Sequence, residues 1–185
     1  MNVFYLDSDP LKCAQEHCDK HVVKMIIEYA QLMSTAHRML DGEMYLDKTA
    51  NGRSIKRWLH PSPHFEQKFY KASHVNHPSA IWVRQSKANY KWMYDMWFQL
   101  CLEYTHRYGK THATFTKLAS ALSFTPINIP DGEFFEPPPA MPDDCKIKGD
   151  SIASYKKYYI QEKTYFAKWT KRSIPEWFNM KVQYA

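Results

Sequence analysis

CAQEHCDKHVVKMIIEYAQLMSTAHR, residues 13–38, reads as one long helix whose two faces decide the architecture. Asp9 stands at the N-cap position before it, and Pro10 takes the first helical position, where proline is best tolerated. Leu11, Ala14, Cys18, Val22, Ile26, Tyr29, Met33, Ala36 and Leu40 recur at steps of three or four. That is an apolar stripe that needs a core to cover it. The opposite stripe carries His17, Lys20, His21, Lys24, Glu28, Gln31 and Thr35. Ordinary surface helices alternate lysine and glutamate. Two imidazoles, two amines and one carboxylate on one face form a set able to hold and transfer protons, although imidazoles also pair with carboxylates for purely structural reasons.

Outward from this helix, residues 1–6 are short, alternating and extended, and 41–54, with Asn51-Gly52, reads as a surface loop. Pro61 and Pro63 interrupt the next stretch and leave room for a short helix from Phe65. His74-Val75-Asn76-His77-Pro78 is a structured turn, because the residue before proline is pushed out of the helical region. Residues 79–108 are strongly helical with a buried stripe of Tyr90, Met93, Trp97, Leu100, Cys101 and Tyr104, and Gly109 fits the C-terminal stop. A weaker helix covers 112–122. The proline-rich segment 125–144 runs extended over the surface as an arm or lid, and 151–172 is the third long helix. The rings of Trp177 and Phe178 then tuck back onto the body. The fold class expected is all-α, one compact helical domain over residues 1–185 with an extended start and a surface arm.

The chain has 185 residues, enough to bury a core without staples. Its 16% aromatic content and five glycines favour packed helices over a turn-rich sheet protein. No run of about 20 apolar residues is present, and the start lacks a charged-then-apolar signal. A soluble, cytoplasmic protein is expected, in the host cytoplasm if it is viral. Cys13, Cys18, Cys101 and Cys145 show no close CxxC pairing, which favours reduced thiols. The net charge of +6 is uneven: from Lys146 to the end, nine lysines and arginines, Lys181 among them, face three acids. Lys156, Lys157 and Lys163 interleave there with Tyr155, Tyr158, Tyr159 and Trp169. Such a pattern suits a phosphate backbone with bases to stack on. It equally suits an amphipathic helix with lysines in water and rings in the core.

Three constellations could carry chemistry. Cys13, His17 and His21, at i, i+4 and i+8, stack on one helix face and could offer two ligands to a zinc ion. No glutamate follows the first histidine and no third ligand is identifiable; His37, His74, His77, His106 and His112 could converge only through the fold. No metal is assigned. Glu28 lies one turn from Lys24 and two from His21, as a general acid or base or as half of an intrahelical ion pair, and spacing supports both. Asn76 and His77 stand before a helix N-terminus, where amides attract anions, and either contribute donors to a phosphate or simply fix the turn.

Taken together, these segments resemble the pyrimidine-dimer DNA glycosylases typified by phage endonuclease V and its bacterial relatives. Met1-Asn2-Val3-Phe4-Tyr5-Leu6 matches their opening segment, and His21 with Glu28 seven residues later matches the family's histidine and glutamate. Asn76-His77-Pro78 matches their turn. Arg107-Tyr108-Gly109 is a permuted form of their helix end, and residues 168–178 match their aromatic and basic ending. The similarity covers about half of the chain, in order. It implies a small helical enzyme whose terminal amine is the nucleophile and whose early helix supplies the catalytic glutamate. Asn2 is too large for efficient removal of Met1, so the nucleophilic amine either belongs to Met1, with Asn2 beside it, or is absent. The loop near Asn51 and the proline-rich arm have no counterpart.

The function expected is a DNA repair or modification enzyme that attacks the glycosidic bond of a damaged or modified base, with duplex DNA as partner and no cofactor. Met1, Asn2, His21 and Glu28 are the catalytic candidates; His17, Lys20, Lys24, Asn76, His77, Arg84, Arg107, Lys156, Lys157 and Lys163 are the candidates for gripping nucleic acid. An α-amine ordinarily titrates near ~8 and a lysine near ~10, which makes a chain terminus the better neutral nucleophile. A non-catalytic nucleic-acid-binding protein on the same scaffold, and a metal-dependent nuclease or hydrolase built on the histidine-rich helix, are the other classes the sequence allows. Nothing in it fixes the oligomeric state.

Overall fold

The computed structural model describes residues 1–179. Helix α1 (Pro10–Glu16) begins as expected: the Asp9 carboxylate accepts the Lys12 amide at 2.7 Å. It does not run on. His17 and Cys18 leave the helical region with ψ of 131° and 161°, and α2 (Asp19–Asp41) starts afresh. The cause is Arg107, a buried guanidinium that donates to the Gln15 and His17 carbonyls and to Asp19 Oδ1, each at 2.9 Å. Carbonyls left over at the end of α1 are capped by a cation from another helix. The helix read over 13–38 is therefore two.

The region expected to be a loop is a hairpin. Strands β1 (Glu43–Lys48) and β2 (Ser54–Leu59) pair antiparallel with Met44 opposite Trp58 and Asp47 opposite Ile55. Gly52 closes the turn at φ +74°, a conformation glycine adopts freely. Both strands are largely solvent-facing, so neither has the apolar alternation that marks a strand in sequence. Gly42 lets the hairpin leave α2: a Cβ there would sit 2.4 Å from the Arg38 carbonyl oxygen. The fold is mainly helical and not strictly all-α.

Helix α3 (Pro63–Lys68) is the short helix expected near Phe65. The helix read over 79–108 is divided at Ser86 into α4 (Pro78–Gln85) and α5 (Lys87–Tyr108), and Gly109 ends α5 in the left-handed region at φ +69°. At the division, Ser86 Oγ accepts the Asn89 amide and donates to the Glu133 carbonyl, both at 3.1 Å, while the Lys87 amide donates to Pro130 O. The arm takes up the hydrogen bonds that the helix gives up. Helix α6 (Ala113–Leu122) follows. Then come a single 3-10 turn (Asp143–Cys145), α7 (Ser151–Glu162) and α8 (Glu176–Asn179). The helix read over 151–172 thus stops at Glu162. Residues beyond it are tied to the α1–α2 junction instead: Asp19 N donates to Lys168 O, Thr170 donates to the Asp19 carboxylate, and Trp169 Nε1 donates to Glu16 O.

Helix α2 is the central element, packed against α4, α5, α6 and both strands. Trp82, Trp97, Tyr5, Tyr29, Tyr90, Tyr155 and Tyr159 are fully buried around it, and full burial of a large apolar side chain contributes roughly 3 kcal/mol. Their polar tips are satisfied: Trp97 Nε1 donates to Ile26 O, Trp82 Nε1 to Phe135 O and Tyr90 Oη to Leu122 O. The proline-rich segment is strapped to the body. Asp41 accepts the Ile127 and Asn128 amides at 2.9 Å, and Ser151 and Tyr155 donate to the carbonyls of Pro137 and Pro138. Trp169 and Phe178 are buried together with ring centroids 4.8 Å apart. All four cysteines are free and buried. Among the described residues no helix is long and apolar enough to cross a membrane.

Candidate active site

The extended start is an internal segment in all but its first residues, for Val3, Phe4, Tyr5 and Leu6 are buried. Its backbone is fixed by the Phe4 amide, which donates to Tyr29 Oη at 3.1 Å. Phe4 also stacks on His21 with centroids 4.1 Å apart and lies nearly parallel to Tyr158 at 6.2 Å. These contacts carry the Met1 amine to the polar face of α2, where its nitrogen is 3.8 Å from Glu28 Oε2. The other carboxylate oxygen, Oε1, is 3.1 Å from Lys24 Nζ. One carboxylate is shared by two amines, the chain terminus and an exposed lysine.

Around them lies a pocket of about 340 Å³, within the range of small-ligand sites. Met1, Asn2, Phe4, His21, Lys24 and Glu28 form one side; Ala140, Met141 and Pro142 of the arm, with Tyr158 and Lys163, form the other. All four residues named as catalytic from the sequence share this pocket. The arm closes part of it, which fits a lid. His77 is close enough for the Met1 amine and Glu28 to act on it: its pKa is held below the ordinary value by burial first, then by the amine and His74. Its Nδ1 accepts the Ser79 amide at 3.2 Å and caps α4, so His77 fixes the turn; Asn76 beside it is exposed.

His21 is a neutral ring. Burial, followed by the charges of His17, Lys163 and Lys24, pushes its pKa down to about 3, and Nδ1 is hydrogen-bonded to the Tyr159 hydroxyl. It lines and orients without supplying charge. His17 does not face solvent at all. Nδ1 pairs with Cys13 O at 2.7 Å and Nε2 with Tyr29 Oη at 2.8 Å, and burial pushes its pKa down to about 4. With Cys13 Sγ donating to Phe4 O, Cys13 and both nitrogens of His17 are committed to protein partners, and the Cys13–His17–His21 stack does not converge as a metal-ligating group. His17 is core, not a phosphate ligand.

Arg107 is likewise withdrawn from nucleic acid. It is buried, with Glu103 at 2.7 Å and Asp19 at 2.9 Å. Arg84 is half-buried and donates to Ala80 O within its own helix. The lysines separate. Lys163 lines the pocket with its ammonium 4.4 Å over the Tyr158 ring, and Lys20 is exposed over Phe166 at 4.7 Å. Lys156 lies in a different, larger cleft of about 770 Å³, 4.0 Å from Glu16 and 5.5 Å over Trp177. Lys157 donates to Asp144 O at 2.5 Å. Lys181 lies outside the described residues.

Sequence reading missed Tyr29, Tyr158 and the arm residues Ala140, Met141 and Pro142. Tyr29 falls in the apolar stripe of α2 and reads as core, which it is. Only its position next to Glu28, with a hydroxyl that must find partners once buried, signals a second role. The arm residues carry no local signal. Compared with protein-family models, curated proteins and solved structures, the chain matches none.

Proposed function

We propose that the protein is a DNA glycosylase with abasic-site lyase activity, acting on a damaged or modified base of duplex DNA inside the cell. The observation that carries this reading is the Met1 amine 3.8 Å from the Glu28 carboxylate in a pocket walled by rings and lysines. In the proposed reaction the unprotonated amine attacks the anomeric carbon of a nucleotide turned out of the stack, and the carbon–nitrogen bond to the base breaks. The base leaves with the bonding pair and is protonated. The sugar opens to an imine with the amine, and loss of a proton from the neighbouring carbon expels the 3′ phosphate. Glu28 stabilises the cationic sugar and moves protons. Lys24 and Lys163 face the flanking phosphates, and the half-buried Tyr158 supplies an aromatic wall beside the extruded nucleotide.

Borohydride trapping on duplex DNA with an abasic site or ultraviolet lesion tests this, because only an imine is reduced to a covalent adduct. The native chain is expected to trap. A form with a residue added before Met1 and not processed off is expected to bind DNA and fail to trap. Trapping by the extended form moves the nucleophile to a lysine, with Lys24→Ala the next variant. Binding without trapping by any form leaves a non-catalytic DNA-binding protein.

A further inference from the structure

His37 and Asp41 stand one turn apart at the end of α2, and His60 follows β2 directly. One ligand atom from each lies within 4.8 Å of the others. Asp41 Oδ2 is 3.8 Å from His37 Nδ1 and 3.9 Å from His60 Nε2, and all three side chains are at most 4% exposed. These separations exceed hydrogen-bond range. Neither His37 Nδ1 nor His60 Nε2 has a hydrogen-bond partner among the described residues. A buried polar atom left so costs about 1–3 kcal/mol. Two imidazole nitrogens and a carboxylate converging among buried side chains are a donor set for a cation.

We propose that His37, Asp41 and His60 bind one divalent transition-metal ion, with zinc the best match to two imidazoles and a carboxylate. The surroundings fit. His37 Nε2 faces Tyr90 Oη at 2.9 Å and Phe124 O at 3.0 Å, and the Tyr90 proton goes to Leu122 O. Nε2 therefore carries the hydrogen and Nδ1 the free lone pair, the outer-shell arrangement typical of a ligating histidine. Asp41 is oriented by the Ile127 and Asn128 amides. His60 needs one adjustment. The Ser62 amide points at its Nδ1 from 3.1 Å, which places the neutral ring's proton on Nε2. Binding through Nε2 moves that proton to Nδ1 and turns the Ser62 amide away. Tetrahedral bonds of about 2.1 Å set donors about 3.4 Å apart, so each carboxylate-to-imidazole separation closes by a few tenths of an ångström, and the two imidazole nitrogens, now within 4.8 Å of each other, draw together as the ion is bound. None of the three residues lines the amine pocket. The ion clips the hairpin and, through Asp41, the proline-rich strap to the end of α2.

The test uses the full chain without a histidine tag, stripped with chelator and titrated with zinc chloride. One equivalent of zinc per chain, a raised melting temperature and faster hydrogen exchange at the Ser62 amide are expected. His60→Gln and Asp41→Asn should each weaken binding at least about tenfold and remove the thermal shift, with folding checked by circular dichroism. No uptake by the folded native chain, or full uptake by both variants, overturns the proposal. Should both variants fail to fold, cobalt in the native chain decides. Intense visible bands of a tetrahedral ion support the site, and the weak bands of a solvated octahedral ion overturn it.

Discussion

The Tyr29 hydroxyl accepts the Phe4 amide at 3.1 Å while pairing with His17 Nε2 at 2.8 Å. His17 Nδ1 faces only the Cys13 carbonyl, so it carries the ring hydrogen and Tyr29 donates to Nε2. A chain of hydrogen bonds thus runs from the end of α1 through α2 to the segment that ends in the Met1 amine. In the proposed reaction the place of the nucleophile rests on a hydroxyl that touches no substrate.

Tyr29→Phe keeps the ring and deletes that hydroxyl. It leaves a buried amide without its acceptor, at a cost of about 1–3 kcal/mol, measured by urea unfolding. Borohydride trapping should slow while DNA affinity holds, because no charge has changed. Unaltered stability would show that the Phe4 amide finds another acceptor.

Glu28→Gln is isosteric and removes the charge shared by Met1 and Lys24. Lys24 is 69% exposed, so the lost i,i+4 pair costs only a few tenths of a kcal/mol. Base release and strand cleavage should fall by at least about tenfold to a hundredfold in single-turnover assays. Wild-type turnover would reduce Glu28 to half of an ion pair.

The candidate site was legible where local chemistry sets it. Asp9 and Pro10 mark the start of α1, and Gly109 the end of α5. His21 and Glu28, two turns apart on α2, mark the pocket's polar wall. What stayed hidden depends on residues distant in sequence. Nothing in 13–38 says that Arg107 will cap Gln15 and His17 and split the helix, and the hairpin's exposed strands lack the apolar alternation that would reveal them. The histidines mislead for the same reason. The 3.6-residue period puts His17 on one face with Lys20 and Lys24, yet the helix breaks at His17 and the N-terminal segment covers the ring, which becomes core.

Lys156 in α7 and Lys163 just past its end are not equivalent, and salt dependence separates them. Lys163→Gln should reduce the log–log slope of DNA affinity against salt by roughly 0.9, the value for one phosphate contact in duplex DNA. Lys156→Gln should leave the slope alone, since that ammonium lies by Glu16 and Trp177 in another cleft. Equal effects from the two would place the DNA across both faces.

The buried histidines set a low-pH limit to stability. Burial pushes His17 down to about 4 and His21 down to about 3, from an ordinary 6.5. The unfolded chain therefore binds protons as pH falls through about 6.5 while the folded chain does not, and stability drops with it. Above that value these groups contribute no slope. Each costs about 1.4 kcal/mol per pH unit until its own folded value is reached. His60, His77 and His112 are lowered too, chiefly by burial, and act in the same direction. Carboxylates held below their ordinary range by arginine, such as Glu103 and Glu66, lose their contribution only at lower pH. Urea unfolding at about pH 7.5, 6 and 5 should show a flat upper range and a steep fall. His21→Gln should shallow that fall by one proton's worth. A native chain equally stable at all three values would mean that these rings take up protons in the folded state.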